Sequence, residues 1–175
     1  CIFCKNMKNE FLTQINTYLP NVDYCSFRFV NKYTNVLSVT RNVLEPIEII
    51  EDEGLMVTVI HNGGFGYSAT SNLTKEGILK ATNEAKSWSE FTKGKLIHQP
   101  TPPQESIDNG QYFTHEKDTW ARESNIDKVD YLMEVNKSLK SKPTISNWGA
   151  SFRYNKLETL FIDTNGSKFR QNISY

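Results

Sequence analysis

A chain of 175 residues is one domain of ordinary size, able to bury about two thirds of its unfolded surface in a core of its own. Its 20 Lys and Arg balance 20 Asp and Glu without a long single-sign run, so charge predicts neither a nucleic-acid partner nor an anionic membrane. Mean hydropathy is −0.53 and no apolar run approaches the roughly 18 residues that span a bilayer, which excludes a membrane helix and points to a soluble chain.

Phe3, Met7, Phe11, Ile15 and Leu19 recur every fourth residue, with Leu12 beside them. That spacing predicts an amphipathic helix over 3–19, ended by Pro20. In residues 22–33, Cys25, Phe27 and Phe29 alternate with Tyr24, Ser26 and Arg28, the period of a half-buried strand. Residues 35–41 and 47–52 read as two more strands around Asn42-Val43-Leu44-Glu45-Pro46. The stretch Gly54 to Ala69 organises the rest. Leu55, Val57 and Val59 alternate with Met56, Thr58 and Ile60, a strand with apolar groups on both faces. Asn62-Gly63-Gly64 then tolerates the positive φ of a tight reversal into Phe65-Gly66-Tyr67-Ser68-Ala69. Glycines beside aromatics in the return strand predict a close backbone approach or a bulge. A phosphate-cradling loop would need a P-loop Lys with Ser or Thr, or a helix opening at GxGxxG, and neither is present.

Thr74 stands where an N-cap belongs, and Ile78, Ala81, Ala85 and Trp88 share a face, so a helix is expected over about 75–91 with Ala positions that allow close packing. Residues 92–123 break the regularity with Pro100, Pro102, Pro103 and Asp108-Asn109-Gly110. Aromatics Tyr112, Phe113 and Trp120 mark an ordered, irregular excursion rather than a flexible linker. Ser124 and Asp127 form a capping-box-like start to a third helix lined by Ile126, Val129, Leu132, Met133 and Leu139, with Pro143 ending the region. Residues 144–154 and 157–163 are strand candidates, and Asn165-Gly166 turns into a last strand from Lys168 to Tyr175. Residues 1–175 thus read as a single α+β domain: a mostly antiparallel sheet of about six to eight strands with two or three packing helices.

The search for chemistry yields no catalytic, cofactor-binding or metal-ligating residue. Cys1-x-x-Cys4 has redox or half-zinc spacing but lacks a second CxxC or a His pair, and with Cys25 the cysteines are too few for a disulfide scaffold. His115-Glu116 could open an HExxH signature, yet the partner positions hold Thr119 and Trp120. His61 lies at the hairpin, and His98 has no ligand at metal-site spacing. No GxSxG elbow occurs. Glu48, Glu51, Asp52 and Glu53 read as a solvated turn. Tyr112, Phe113 and Trp120 either line a binding surface or close the core beneath their loop. Position 1 is not Met, so the chain is expected to begin inside a longer parent, as an excised segment or after loss of a leader.

Three stretches carry a family resemblance: Val22 to Arg28, Arg41 to Glu45, and Gly54 to Ser71. They resemble the amino-terminal domain of the TldD/PmbA family, zinc metallopeptidases also called modulators of DNA gyrase. Gly54, Val57, Gly63, Gly66 and the cap Thr74 fall in register with the family's Gly-Val-rich hairpin and following helix; Met56 and Thr58 stand where the family has Gly and Arg. The later helix and Thr164-Asn165-Gly166 correspond in order and spacing.

The resemblance implies a cytoplasmic, non-catalytic domain that forms a homo- or heterodimer with a TldD/PmbA-like subunit and encloses an unfolded peptide. It implies no cofactor in this chain, zinc belonging to a carboxy-terminal domain that lies beyond it. PmbA-like members lack the zinc motif, so the alternative is a stand-alone partner module without proteolysis. The name gyrase modulator suggests a third role, to which neutral charge lends nothing.

Overall fold

A computed structural model of the chain describes residues 15–103, 109–114, 120 and 122–175. Most of the helix expected over 3–19 lies outside them; Ile15–Tyr18, which is described, forms a 3-10 turn. The strands are β1 (Tyr24–Thr40), β2 (Val43–Leu44), β3 (Glu48–His61), β4 (Gly64–Thr70), β5 (Asn109–Phe113), β6 (Gly149–Asp163) and β7 (Lys168–Ser174). Two α-helices accompany them, α1 (Lys75–Thr92) and α2 (Asn125–Leu139). Among the described residues the strands form one seven-stranded sheet, mostly antiparallel, in the order β4-β3-β1-β6-β7-β5 with β2 pairing to β1. This is the α+β class expected from the sequence.

Three expected strand boundaries vanish. Residues 22–33 and 35–41 are one strand, as are 47–52 with 54–60, and 149–154 with 157–163. Polar residues interrupt the apolar alternation at these points, but pairing continues through them. Thr34 Oγ1 donates to Asn155 Oδ1 at 2.9 Å, and Asn155 exchanges main-chain bonds with Tyr175 at 2.8 and 3.0 Å. The acidic run therefore lies within strand β3 rather than in a turn. Val43–Leu44, read as part of a connection, is instead a short strand folded back on β1.

The chain divides into two compact units, Cys1–Val30, Glu53–Tyr112 and Thr159–Gln171 forming the first, and Asn31–Asp52, Phe113–Glu158 and Asn172–Tyr175 the second. In the first, Cys25, Phe27 and Phe29 meet Leu55, Val57 and Val59 of β3 and Leu160 and Ile162 of β6. Helix α1 lies on this face through Ile78, Ala81 and Ala85. The Thr74 hydroxyl caps it, accepting the Gly77 N–H at 3.3 Å. The helix sits close to β4 because Gly64 and Gly66 present no side chain: a Cβ there would lie 1.8 Å from the carbonyl oxygens of Ser89 and Ala85. The same closeness corrects the expected helix face. Ser89 takes the contact, and Trp88, too large for it, stands 55% exposed. The β3–β4 hairpin turns through Asn62 and Gly63, both at positive φ, with His61 opposite Gly64.

In the second unit, Leu132 of α2 packs with Leu37 and Val39 of β1 and with Ala150 and Phe152 of β6. Ser124 caps α2 and accepts the Asp127 N–H at 3.1 Å, as the capping-box spacing predicts. Ile126 and Leu139, expected on the packed face, are exposed. Lys128 and Asn136 are buried in their stead, because each finds main-chain acceptors. Lys128 Nζ donates to the carbonyls of Trp120 and Glu123 at 2.5 and 2.8 Å, and lies 4.2 Å from the Trp120 ring centroid.

Candidate functional site

Alternation along β1 puts Cys25, Phe27 and Phe29 in the core of the first unit and turns Arg28 the other way, where it is exposed. On β6, Thr159 and Phe161 likewise alternate with the core residues Leu160 and Ile162. With Phe169 and Arg170 of β7 and Tyr112 of β5, these side chains line a groove of about 540 Å³. Phe161 and Phe169 meet at 6.3 Å between ring centroids. Gly110 lets β5 close up against them, since a Cβ there would lie 3.1 Å from the Phe169 ring. The aromatic wall offers apolar contact, and Gln111 and Gln171 add amide donors and acceptors.

Charge in the groove has one sign. Arg28 and Arg170 line it, no carboxylate does, and among the described residues neither arginine enters an ion pair. Guanidinium groups in such a setting take up carboxylates through paired hydrogen bonds. The arrangement is suited to binding, and among its described lining residues no nucleophile stands beside a base.

Farther along the same strands, Tyr24, Ser26 and Asp163 form a buried polar cluster. Burial raises the Tyr24 phenol above its ordinary range, the Ser26 hydrogen bond works the other way, and the Asp163 charge adds to the rise. Asp163 also accepts the Ser167 N–H at 2.9 Å, so it fixes the turn between β6 and β7. Thr164 completes that turn by exchanging hydrogen bonds with Cys25 at 2.9 and 3.0 Å.

The residues singled out in the sequence are dispersed. Cys1, Cys4, His115, Glu116 and Thr119 lie outside the described residues. Cys25 is a buried free thiol that desolvation pushes up to about 12, so it carries no thiolate at neutral pH. His61 Nδ1 is 3.5 Å from Asp23 Oδ1, while Asp23 Oδ2 accepts the Asn62 N–H at 2.6 Å. These three residues hold a hairpin turn. His98 is exposed. Among the described residues no three His, Cys, Asp or Glu converge as a metal site would require.

The aromatic triplet splits. Tyr112 lines the groove, and Phe113 is exposed. Trp120 closes the second core, stacked on Tyr154 at 5.3 Å and edge-on to Phe152. The sequence reading did not single out Arg28, Phe161, Phe169 or Arg170 as site residues. Strand alternation marks Arg28 as outward-facing, but nothing local tells which strand from the far end of the chain will lie beside it. A larger space of about 1180 Å³ borders α1 at Leu79, Trp88 and Phe91. Among the described residues only this helix lines it, so it is a surface trough without converging groups.

Against known proteins, residues 25–89 match the family model described as PmbA/TldA metallopeptidase domain 1. This segment is thus similar to a first domain of the TldD/PmbA family. Its match includes Arg28, the Gly54–Thr70 hairpin and most of α1. Three solved structures share the fold over nearly the whole chain. One, a candidate modulator of DNA gyrase from Bacteroides thetaiotaomicron, is 13% identical with a TM-score of 0.70, covering 95% of this chain and 38% of its own. A second protein so described, from Thermotoga maritima, is 12% identical with a TM-score of 0.65 and coverages of 97% and 37%. TldE from Thermococcus kodakarensis is 14% identical with a TM-score of 0.61 and coverages of 96% and 37%. The chain therefore spans less than two fifths of these relatives. No curated protein sequence matches it. No helix among the described residues is long and apolar enough to cross a membrane.

Proposed function

We propose that this TldD/PmbA-like domain is the non-catalytic, substrate-enclosing part of a metallopeptidase, holding an extended stretch of unfolded peptide in the groove of its first unit. The observation that carries this reading is the match of residues 25–89 to a metallopeptidase first domain, with Arg28 of the groove inside it. The groove's volume suits a few residues of extended chain. Its rings would take apolar side chains, and its guanidinium groups an acidic side chain or a terminal carboxylate. The exposed apolar residues of α1, Leu79, Trp88 and Phe91, would contribute to a homo- or heterodimer with a related subunit.

The described residues do not fit the family's zinc, since no ligand set converges among them. The metal and the hydrolytic chemistry would belong to the part of the parent beyond these residues. The test is to purify this chain and its full reading frame, and to measure zinc content and cleavage of an unfolded fluorogenic peptide. Zinc and cleavage in the parent alone support the reading. Zinc bound stoichiometrically by the 175 residues overturns it. Peptide binding without zinc or cleavage in either favours the partner-module alternative.

A further inference from the structure

The β3–β4 ladder ends where Leu55 faces Thr70, whereas β3 itself begins at Glu48. Among the described residues, Glu48–Asp52 therefore has no strand on the side where β4 pairs the rest of β3. An edge of this kind offers a row of main-chain N–H and C=O groups to an incoming strand. Its side chains alternate, with Glu48, Ile50 and Asp52 on one face and Ile49 and Glu51 on the other. All are exposed, Ile49 to 59% and Ile50 to 54%. Val43, Leu44 and Ile47 just before them are exposed as well. Acidic residues alone would guard an edge against aggregation; a run of solvent-facing aliphatics serves no such purpose.

Charge selects the occupant. A second copy of the chain paired along Glu48–Asp52 would set carboxylates opposite carboxylates, which destabilises cross-strand pairs. A strand with Lys or Arg alternating with aliphatic residues would set basic side chains opposite Glu48 and Asp52 and an aliphatic one opposite Ile49. We propose that Glu48–Asp52 is a strand-addition site for a basic, aliphatic extended segment of another polypeptide. The inference stands apart from the peptidase assignment, since these residues belong to the second unit and the groove to the first.

The test titrates the fluorescein-labelled peptide KIKVKIK with the 175-residue chain and reads anisotropy. Saturable binding is expected, weakened about tenfold by the Glu48→Lys/Asp52→Lys double variant. A peptide N-methylated at alternate residues along one edge should lose binding altogether, because strand addition needs those N–H groups. This arm uses the unaltered protein and so remains decisive if the double variant folds poorly. Absence of saturable binding, equal binding of the N-methylated peptide, or binding unchanged by charge reversal in a folded variant overturns the proposal. Self-association of the chain that KIKVKIK disrupts overturns it too, assigning the edge to a second copy. None of these outcomes bears on zinc content or cleavage, which decide the peptidase reading.

Discussion

Asn136 of α2 holds Asn42 of the β1–β2 turn. Wholly buried, its Oδ1 accepts the Asn42 main-chain N–H at 2.8 Å, and its Nδ2 donates to the Val39 carbonyl at 2.8 Å. The turn needs this support, because Arg41 and Asn42 both sit at positive φ, and Arg has no side-chain means of easing that conformation. Removing the amide strands two main-chain groups beside a packed helix. Asn136→Ala is therefore expected to lower stability by about 2–4 kcal/mol. Arg41→Asn should raise it by about 0.5–1 kcal/mol, since Asn tolerates the left-handed region. Urea midpoints of the two variants at constant slope check both.

Two glycines in one hairpin should respond very differently to the same methyl group. At Gly66 a Cβ would meet the Ala85 carbonyl oxygen at 1.8 Å, so α1 must move off the sheet and open the core it covers. Gly66→Ala is expected to cost about 3 kcal/mol or more. At Gly63 nothing lies within 4 Å, and only the positive φ of 75° resists substitution. Gly63→Ala should cost about 1–2 kcal/mol, and Gly63→Asn less. Thermal melts of the three variants separate steric exclusion from backbone strain.

These contrasts explain how much the sequence discloses. Both α-helices are legible because Thr74 and Ser124 announce their starts through bonds to residues three positions on. The hairpin is legible because Asn62-Gly63 is local turn chemistry. The continuity of β1 is not, because Thr34 breaks its apolar alternation and its partner Asn155 lies 121 residues away. Buried Asn136 and Lys128 mislead in the same way, since only the folded chain shows the carbonyls that satisfy them. The groove joins Arg28 near one end of the chain to Phe169 and Arg170 near the other, a neighbourhood that periodicity does not encode.

Cys25 gives the fold an alkaline limit. Its folded-state value of about 12 against an ordinary 9.0 means that the folded chain keeps the thiol proton longer than the unfolded chain does. The resulting stability is fully present below about pH 9 and is lost as pH rises through about 12. Tyr24, also raised, acts in the same direction above its ordinary 10.0. Stability should fall steadily from pH 9 to 12, and Cys25→Val should flatten the fall over that window, as guanidinium titrations at several pH values would show. In a Cys1→Ser/Cys4→Ser background, the thiol should resist an aromatic disulfide reagent at pH 8 until denaturant is added.

The groove makes the last prediction, and its exposed arginines allow a clean test. Because Arg28 and Arg170 form no ion pair among the described residues, neutralising them should leave the melting temperature almost unchanged. Any loss of binding then reports on the ligand rather than on folding. For an extended peptide bearing a carboxylate, Arg28→Gln and Arg170→Gln should each weaken binding about three- to tenfold in calorimetric titration at low salt. Arg28→Lys should recover only part of the loss, because an ammonium cannot match the two-point geometry of a guanidinium. Phe161→Leu should weaken the apolar share without changing the salt dependence, since it removes ring contact and no charge. Unchanged affinity in the Arg28→Gln/Arg170→Gln double variant would overturn the proposal that the groove is a peptide-binding site.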